Sequence, residues 1–265
     1  MPREVTAFSN STVKRLRALR DKKARKEEGM FLAEGLRIIT EARDSGMLPE
    51  IIMFSAEGAR HPLASEIISA TEAAGGDAIE TTADILSKTS GKDNPQMLVA
   101  AYRQPLTELS AIDRSSAPLW FVCQALRDPG NIGTILRTGD AVGAGGLILI
   151  DDSADPYSVE AVRASMGAVF TQQVAKAPWQ EFLAWLRSEP SQLVGTSLNT
   201  DRDYLAAEYR PPCFLLIGNE QQGLPEAYEK ECDMLVKIPM AGRADSLNAA
   251  VAAAVMAFQV KASWR

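Results

Sequence analysis

CFLLIGNEQQGLP, residues 213–225, decides the fold. Its five leading apolar residues read as a strand covered on both faces, as in parallel sheets. The run stops at Gly218-Asn219-Glu220, where backbone and polar side chains replace apolar bulk. A second short strand candidate, 234–238, ends in Ile238-Pro239-Met240, and a helix over 245–261 follows with Asp245 as its expected cap and Ser246 and Asn248 in its first turn. Two backbone-rich loops and several polar groups therefore meet at one edge, which is the expected working site.

Working outward, 119–126, 146–150, 169–175 and 192–198 are further strand candidates, and helices are predicted over 132–142, 159–165, 179–188 and 225–231. Strands alternating with helices predict a three-layer α/β domain with a mostly parallel sheet over 118–265. Residues 1–104 read as a smaller α/β domain. It has a cationic helix over 11–26 with Val13, Leu16 and Leu19 inward, a helix over 31–42, and strands at 50–54 and 96–102 separated by helical 63–74 and 83–86. The proline-flanked, Ser-containing stretch 105–117 reads as a linker.

Composition narrows the chemistry. The 265 residues carry a net charge of −6 and a single histidine, His61, which precedes a proline in a loop-like stretch; this argues against histidine-based triads and histidine-rich metal centres. Cys123, Cys213 and Cys232 are too few and too scattered for a disulfide framework and read as buried thiols of a reducing cytoplasm. The opening MPREVTAFSNSTVKRL lacks the apolar core of a secretory signal. The longest apolar run, 249–260, falls short of the roughly 20 residues a membrane span needs.

Several features admit two readings. The cations of 11–26 form either a solvated helix face or a phosphate-contacting surface, and being local they are compatible with a negative total charge. In 125–150, Asp128-Pro129-Gly130 is a tight turn and Asn131 is placed to cap the next helix; Arg137 projects away from the apolar side, solvated or functional. The cluster Gly143-Ala144-Gly145-Gly146 precedes a strand instead of following one, so it is no dinucleotide loop. Gly218 and Gly223 are turn formers or sites of close backbone approach to a flat ligand. Leu247, Val251, Val255 and Phe258 form a stripe on the last helix, whose alanines permit close packing in the core or at a subunit interface.

NIGTILRTGDAVGAGGLIL (131–149), LLIGNEQQGLP (215–225) and VKIPMAGRADSLNAAVAAAVMAF (236–258) together resemble the three signature motifs of the SpoU/TrmH family of RNA ribose 2′-O-methyltransferases, members of the SPOUT superfamily. NSTVKRLRALRDKKARKEEGMFLAEG (10–35) is similar to the RNA substrate-binding domain that precedes the catalytic domain in its rRNA-modifying branches. One departure is Gln221, where the family commonly has glycine.

The resemblance implies a C-terminal trefoil knot, which general rules of chain topology would never propose. It also implies a homodimer and an S-adenosylmethionine site around Thr196, Gly218, Asn219, Gly223, Ile238, Met240 and Leu247. Asn131, Arg137, Glu220, Ser246 and Asn248 match the residues that line the reaction site, and Lys14, Arg15, Arg17, Arg20, Arg37, Arg163 and Ser165 are the residues expected to face RNA. No metal is needed for an in-line methyl displacement, whose main demands are positioning and loss of the hydroxyl proton. A guanidinium stays protonated, so Arg137 is expected to hold the target phosphate and the developing alkoxide while the proton leaves elsewhere. Ribosomal RNA is the expected substrate. Transfer RNA, or a non-catalytic role in ribosome assembly, is the alternative.

Overall fold

A computed structural model describes residues 2–91 and 96–265. The chain divides into two compact units, one of Met1–Pro105 with Asp155–Thr171, the other of Leu106–Ala154 with Gln172–Arg265.

The first unit begins with β1 (Arg3–Val5), α1 (Ser11–Ala18), α2 (Lys22–Glu28), β2 (Met30–Glu34) and α3 (Leu36–Asp44). It continues through β3 (Ile51–Phe54), α4 (Ala56–Ala59), α5 (Pro62–Ala73), β4 (Asp77–Thr81), α6 (Ala83–Ser90) and β5 (Leu98–Arg103). Its sheet runs β1-β4-β3-β5-β2, parallel through β3 and antiparallel at β5 and β2. Two expectations change here. The cationic segment is two helices, because Asp21 takes an extended conformation and caps the second by accepting from Lys23 N at 2.8 Å. Residues 31–34 are strand, although Leu32, Ala33 and Glu34 favour helix: all five residues of β2 are buried against β5, and this tertiary pairing outweighs local preference.

The segment 155–171, expected in the C-terminal domain, is built into this first unit together with α7 (Val159–Ser165). Three contacts hold it. Arg25, 4% exposed at its side chain, pairs with Asp155 at 2.9 Å and donates to the carbonyls of Leu19 and Arg20. Arg163 grips Glu34 through Nε and Nη2 at 3.2 and 2.6 Å. Tyr157 and Phe170 join Phe31 and Tyr102 in an aromatic cluster with centroids 4.8–5.9 Å apart.

In the second unit β6 (Leu119–Gln124), α8 (Pro129–Val142), β7 (Gly146–Ile150), β8 (Gln173–Ala177), α9 (Trp179–Arg187) and β9 (Gln192–Thr196) are followed by β10 (Cys213–Ile217), α10 (Glu226–Glu229), β11 (Met234–Val236) and α11 (Ala249–Ser263). The sheet order is β11-β9-β10-β6-β7-β8 and every pairing is parallel. One face carries Trp120, Val122, Phe214 and Leu216 against Trp179, Phe182 and Leu186 of α9. The other is covered by α8 and by α11, which packs on both α8 and β10. This is the expected three-layer parallel architecture, and its strand order is consistent with the knot that the resemblance implies.

The stretch expected as a linker is anchored instead. Leu109, Ile112 and Ala117 enter the second unit's core, and buried Arg114 donates to the carbonyls of Trp185 and Leu186. Burial pushes the thiols of Cys213 and Cys232 up to about 12 and that of Cys123 still higher, so at neutral pH all three stay protonated. No helix among the described residues is long and apolar enough to cross a membrane.

Removing one partner of a buried ion pair strands the other charge, which typically costs about 3 kcal/mol or more. Arg25→Ala should therefore lower stability by about that amount in urea denaturation, whereas the paired replacement Arg25→Met with Asp155→Leu should lose less.

Candidate functional site

Pairing of β6 with β10, in register from Leu119–Cys213 to Cys123–Ile217, brings the loops after both strands out at the same edge. From β6 the chain proceeds to β7 and β8 on one side, while β10, β9 and β11 lie on the other. That reversal is a topological switch point, where parallel sheets open a crevice beyond their carboxyl ends.

Three stretches converge there. Asn131 lies in the first turn of α8; the helix cap is Asp128, which accepts from Gly130 N at 2.7 Å, and not Asn131 as its sequence position suggested. Freed from capping, buried Asn131 donates through Nδ2 to Glu220 Oε1 at 2.9 Å. Its Oδ1 accepts from Asn248 Nδ2, also at 2.9 Å. Asn248 Oδ1 in turn accepts from Ala250 N and Val251 N at 2.9 and 3.3 Å, so Asn248, and not Asp245, caps α11. The helix begins later than expected because this amide caps it, leaving Asp245, Ser246 and Leu247 in the preceding loop. The direction of both amides follows from the ends of the chain. Backbone N–H groups can only donate and an ionised carboxylate can only accept, so each asparagine has one self-consistent orientation.

Asn219 shapes the loop that carries Glu220. Its Nδ2 donates to Ala125 O at 2.8 Å, tying the β10 exit to the β6 exit, and its Oδ1 accepts from Gln221 N and Gln222 N. Gly223 closes the turn with φ +67°, a conformation in which a side chain is strained. A Cβ on Gly218 would lie 2.5 Å from the carbonyl carbon of Gly223, so the loop folds tightly over this glycine.

This loop separates two recesses of the second unit. One, about 320 Å³, is walled by the ends of β9, β10 and β11 and by the segment before α11. All seven expected cofactor residues, Thr196, Gly218, Asn219, Gly223, Ile238, Met240 and Leu247, line it, together with Glu220 and Ser246. The other, about 630 Å³ and open, is lined by Asn131, Glu220 and Asn248 with Gln124, Arg127 and Asp128. Gln221 faces both, its side chain exposed.

Arg137 is not brought to either recess. It is exposed on α8, with no hydrogen-bond partner among the described residues. The expected RNA-facing residues divide in the same way. Lys14, Arg17, Arg20 and Arg37 are exposed, while Arg15 is engaged by Glu28 at 2.7 Å and Arg163 by Glu34. Ser165 is buried and its hydroxyl donates to Val162 O, which removes it from any surface. Sequence reading missed Ser197, Asn199, Glu229 and Lys237 in the first recess. The first two could have been found, since residues just past a parallel strand lie at the same edge as its neighbours' exits.

A parallel α/β domain with a flat-ligand recess at its switch point, beside a polar recess sharing one wall, defines a protein that brings a bound nucleotide-like group against a second, polar substrate. The chain belongs to the SpoU rRNA Methylase family, whose model matches residues 118–258, and residues 10–100 match the MRM3-like substrate binding domain. Among curated relatives it is 33% identical to the 23S rRNA (uridine(2479)-2′-O)-methyltransferase of Streptomyces viridochromogenes, over 91% of this chain and 85% of that protein. It is 28% identical to a 23S rRNA (guanosine(2553)-2′-O)-methyltransferase of Bacillus subtilis, over 98% of this chain and 99% of that one. Among solved structures, an rRNA methyltransferase from Sinorhizobium meliloti, also solved with AdoMet bound, superposes with a TM-score of 0.91 at 39% identity, covering 98% of this chain and 97% of that one.

Asn131→Asp would set a second carboxylate against Glu220, and like charges in contact raise each other's pKa and destabilise the ionised pair. Stability should fall by about 1–3 kcal/mol at pH 8. Because protonation of either carboxyl relieves the repulsion, the deficit should shrink as pH falls toward 5 in parallel denaturant titrations of variant and parent.

Proposed function

We propose that this chain transfers the methyl group of S-adenosylmethionine to a ribose 2′-hydroxyl of ribosomal RNA. The observation that carries the reading is the single loop of Asn219–Gly223 standing between an apolar recess and a polar one. A volume of about 320 Å³ lies within the range of small-molecule sites, and the lining of Ile217, Leu224, Val236, Ile238 and Leu247 with polar loops at strand ends suits a flat base carrying a polar tail. When bound, the cofactor would supply an electrophilic methyl on a sulfonium.

The chain's own residues supply position. Glu220, held by Asn131, and Asn248, held by the α11 amides, present fixed polar groups to the second recess, where they would orient the ribose. Arg137 would bind the adjacent phosphate and stabilise the developing alkoxide, the proton passing to another group or to water. Exposed Lys14, Arg17, Arg20 and Arg37 would contact the RNA backbone, in a substrate-binding domain that precedes the catalytic one. Curated relatives named for 23S rRNA support ribosomal over transfer RNA, and a ribosomal substrate supports a cytoplasmic location.

A homodimer accounts for two further facts. The α11 alanines Ala249, Ala250, Ala253 and Ala257 are buried within the chain, while Val251 and Phe258 face outward, 48% and 57% exposed. Arg137 reaches neither recess of its own chain, and a second copy packed on the α11 stripe would give it a site to serve.

Mapping ribose methylation on total RNA with and without the protein should reveal one site in large-subunit rRNA, and no changed site would sink the reading. Arg137→Lys should cut turnover at least tenfold, because a point charge cannot reproduce a bidentate fork. Val251→Asp with Phe258→Asp should halve the mass measured by light scattering without loss of helicity.

A further inference from the structure

Glu229 is a buried carboxylate, 8% exposed, on the wall of the apolar recess, and nothing in the reaction described above uses it. It ends α10, and what it holds is the turn that follows β9. Its Oε1 accepts from the Ser197 hydroxyl, and its two oxygens accept from Asn199 Nδ2 at 3.3 and 3.2 Å. Ser197 Oγ also accepts from Asn199 N at 2.9 Å, closing the turn on itself. The turn has no apolar anchor of its own, since Leu198 at its tip is 66% exposed. Ser197, Leu198 and Asn199 nonetheless form part of the recess wall.

Burying a carboxylate costs free energy unless hydrogen bonds repay it, and an apolar residue at the end of α10 would avoid the cost. Apart from the bond from Ser197 N to Val236 O at 3.0 Å, what the carboxylate adds is a grip on a turn that no apolar side chain of its own anchors. We infer that Glu229 is a positioning residue for the methyl donor: by clamping Ser197 and Asn199 it holds the 197–199 turn in the shape that receives S-adenosylmethionine. It acts on cofactor affinity and not on the transfer step, because its partners line the apolar recess and are absent from the polar one. This inference rests on assigning that recess to the cofactor.

The test is calorimetric titration of S-adenosylmethionine into the full chain, with steady-state kinetics on its RNA substrate. Glu229→Leu, which fills the space without accepting hydrogen bonds, should raise the cofactor Kd and KM roughly tenfold. In the same variant kcat at saturating cofactor and the KM for RNA should stay within about twofold of the parent. Glu229→Gln, which keeps an acceptor oxygen, should recover most of the affinity. Ser197→Ala and Asn199→Ala should each weaken binding about threefold at unchanged melting temperature, and add little on the Glu229→Leu background. These two also decide the matter if Glu229→Leu does not fold, since unchanged affinity in both would overturn the inference. It would equally be overturned by a Glu229→Leu variant with lowered melting temperature but parental Kd, or one that lost kcat at saturating cofactor. Absence of binding by the unaltered chain would overturn the cofactor assignment itself, whereas parental binding in every variant would overturn the inference alone.

Discussion

The parallel pairing of β6 with β10 is the constraint on which the rest of the site depends. These two strands are about ninety residues apart in sequence, and each continues to a different side of the sheet. Because they are parallel and in register, their exits coincide, so Ala125, Asn131 and the Asn219–Glu220 pair emerge within hydrogen-bonding reach. An antiparallel pairing would have sent the two loops to opposite edges. The Asn131–Glu220 and Asn219–Ala125 contacts follow from that coincidence.

Once the exits coincide, their polar groups must satisfy one another, since a buried amide without a partner is costly. Asn131 solves this with a side chain that donates at one end and accepts at the other. Neither aspartate, which only accepts when ionised, nor an aliphatic residue could join a carboxylate to another amide's donor. The relay that results starts at the first amides of α11, where the helix's partial positive charge resides, and ends on the Glu220 carboxylate. Helix start, asparagine orientation and carboxylate position are thus set together, and a change at any one is felt by the others.

How much of this was legible in the sequence depends on whether the information is local. The apolar runs of β6, β7, β9 and β10 identified buried parallel strands, whereas the expected cofactor residues came from the family resemblance and lie together along one recess at the strand ends. Caps were misread wherever a competing partner lay far away. Asn131 is a good capping residue, yet Glu220 and Asn248 claim its amide and Asp128 caps instead. The strand of Met30–Glu34 was hidden for the same reason, its conformation being set by β5. Glu229 carries no local signal at all: only the fold shows that a carboxylate on a one-turn helix reaches a turn thirty residues earlier.

Charge obeys the same distinction between composition and placement. A net charge of −6 describes the chain, whereas a polyanion meets particular cations. Of the basic residues in the first unit, Arg25 is consumed by Asp155 and backbone carbonyls, Arg15 by Glu28 and Arg163 by Glu34. These arginines hold the unit together, and the fork geometry that suits them to carboxylates explains why arginine and not lysine stands there. The lysines of α1 and α2 stay at the surface with Arg17 and Arg20. A solvated cation releases counterions when it meets a phosphate, whereas one already neutralised by a carboxylate has little left to give. The affinity of this unit for RNA, and its dependence on salt, should therefore follow the exposed subset and not the total number of basic residues in the segment.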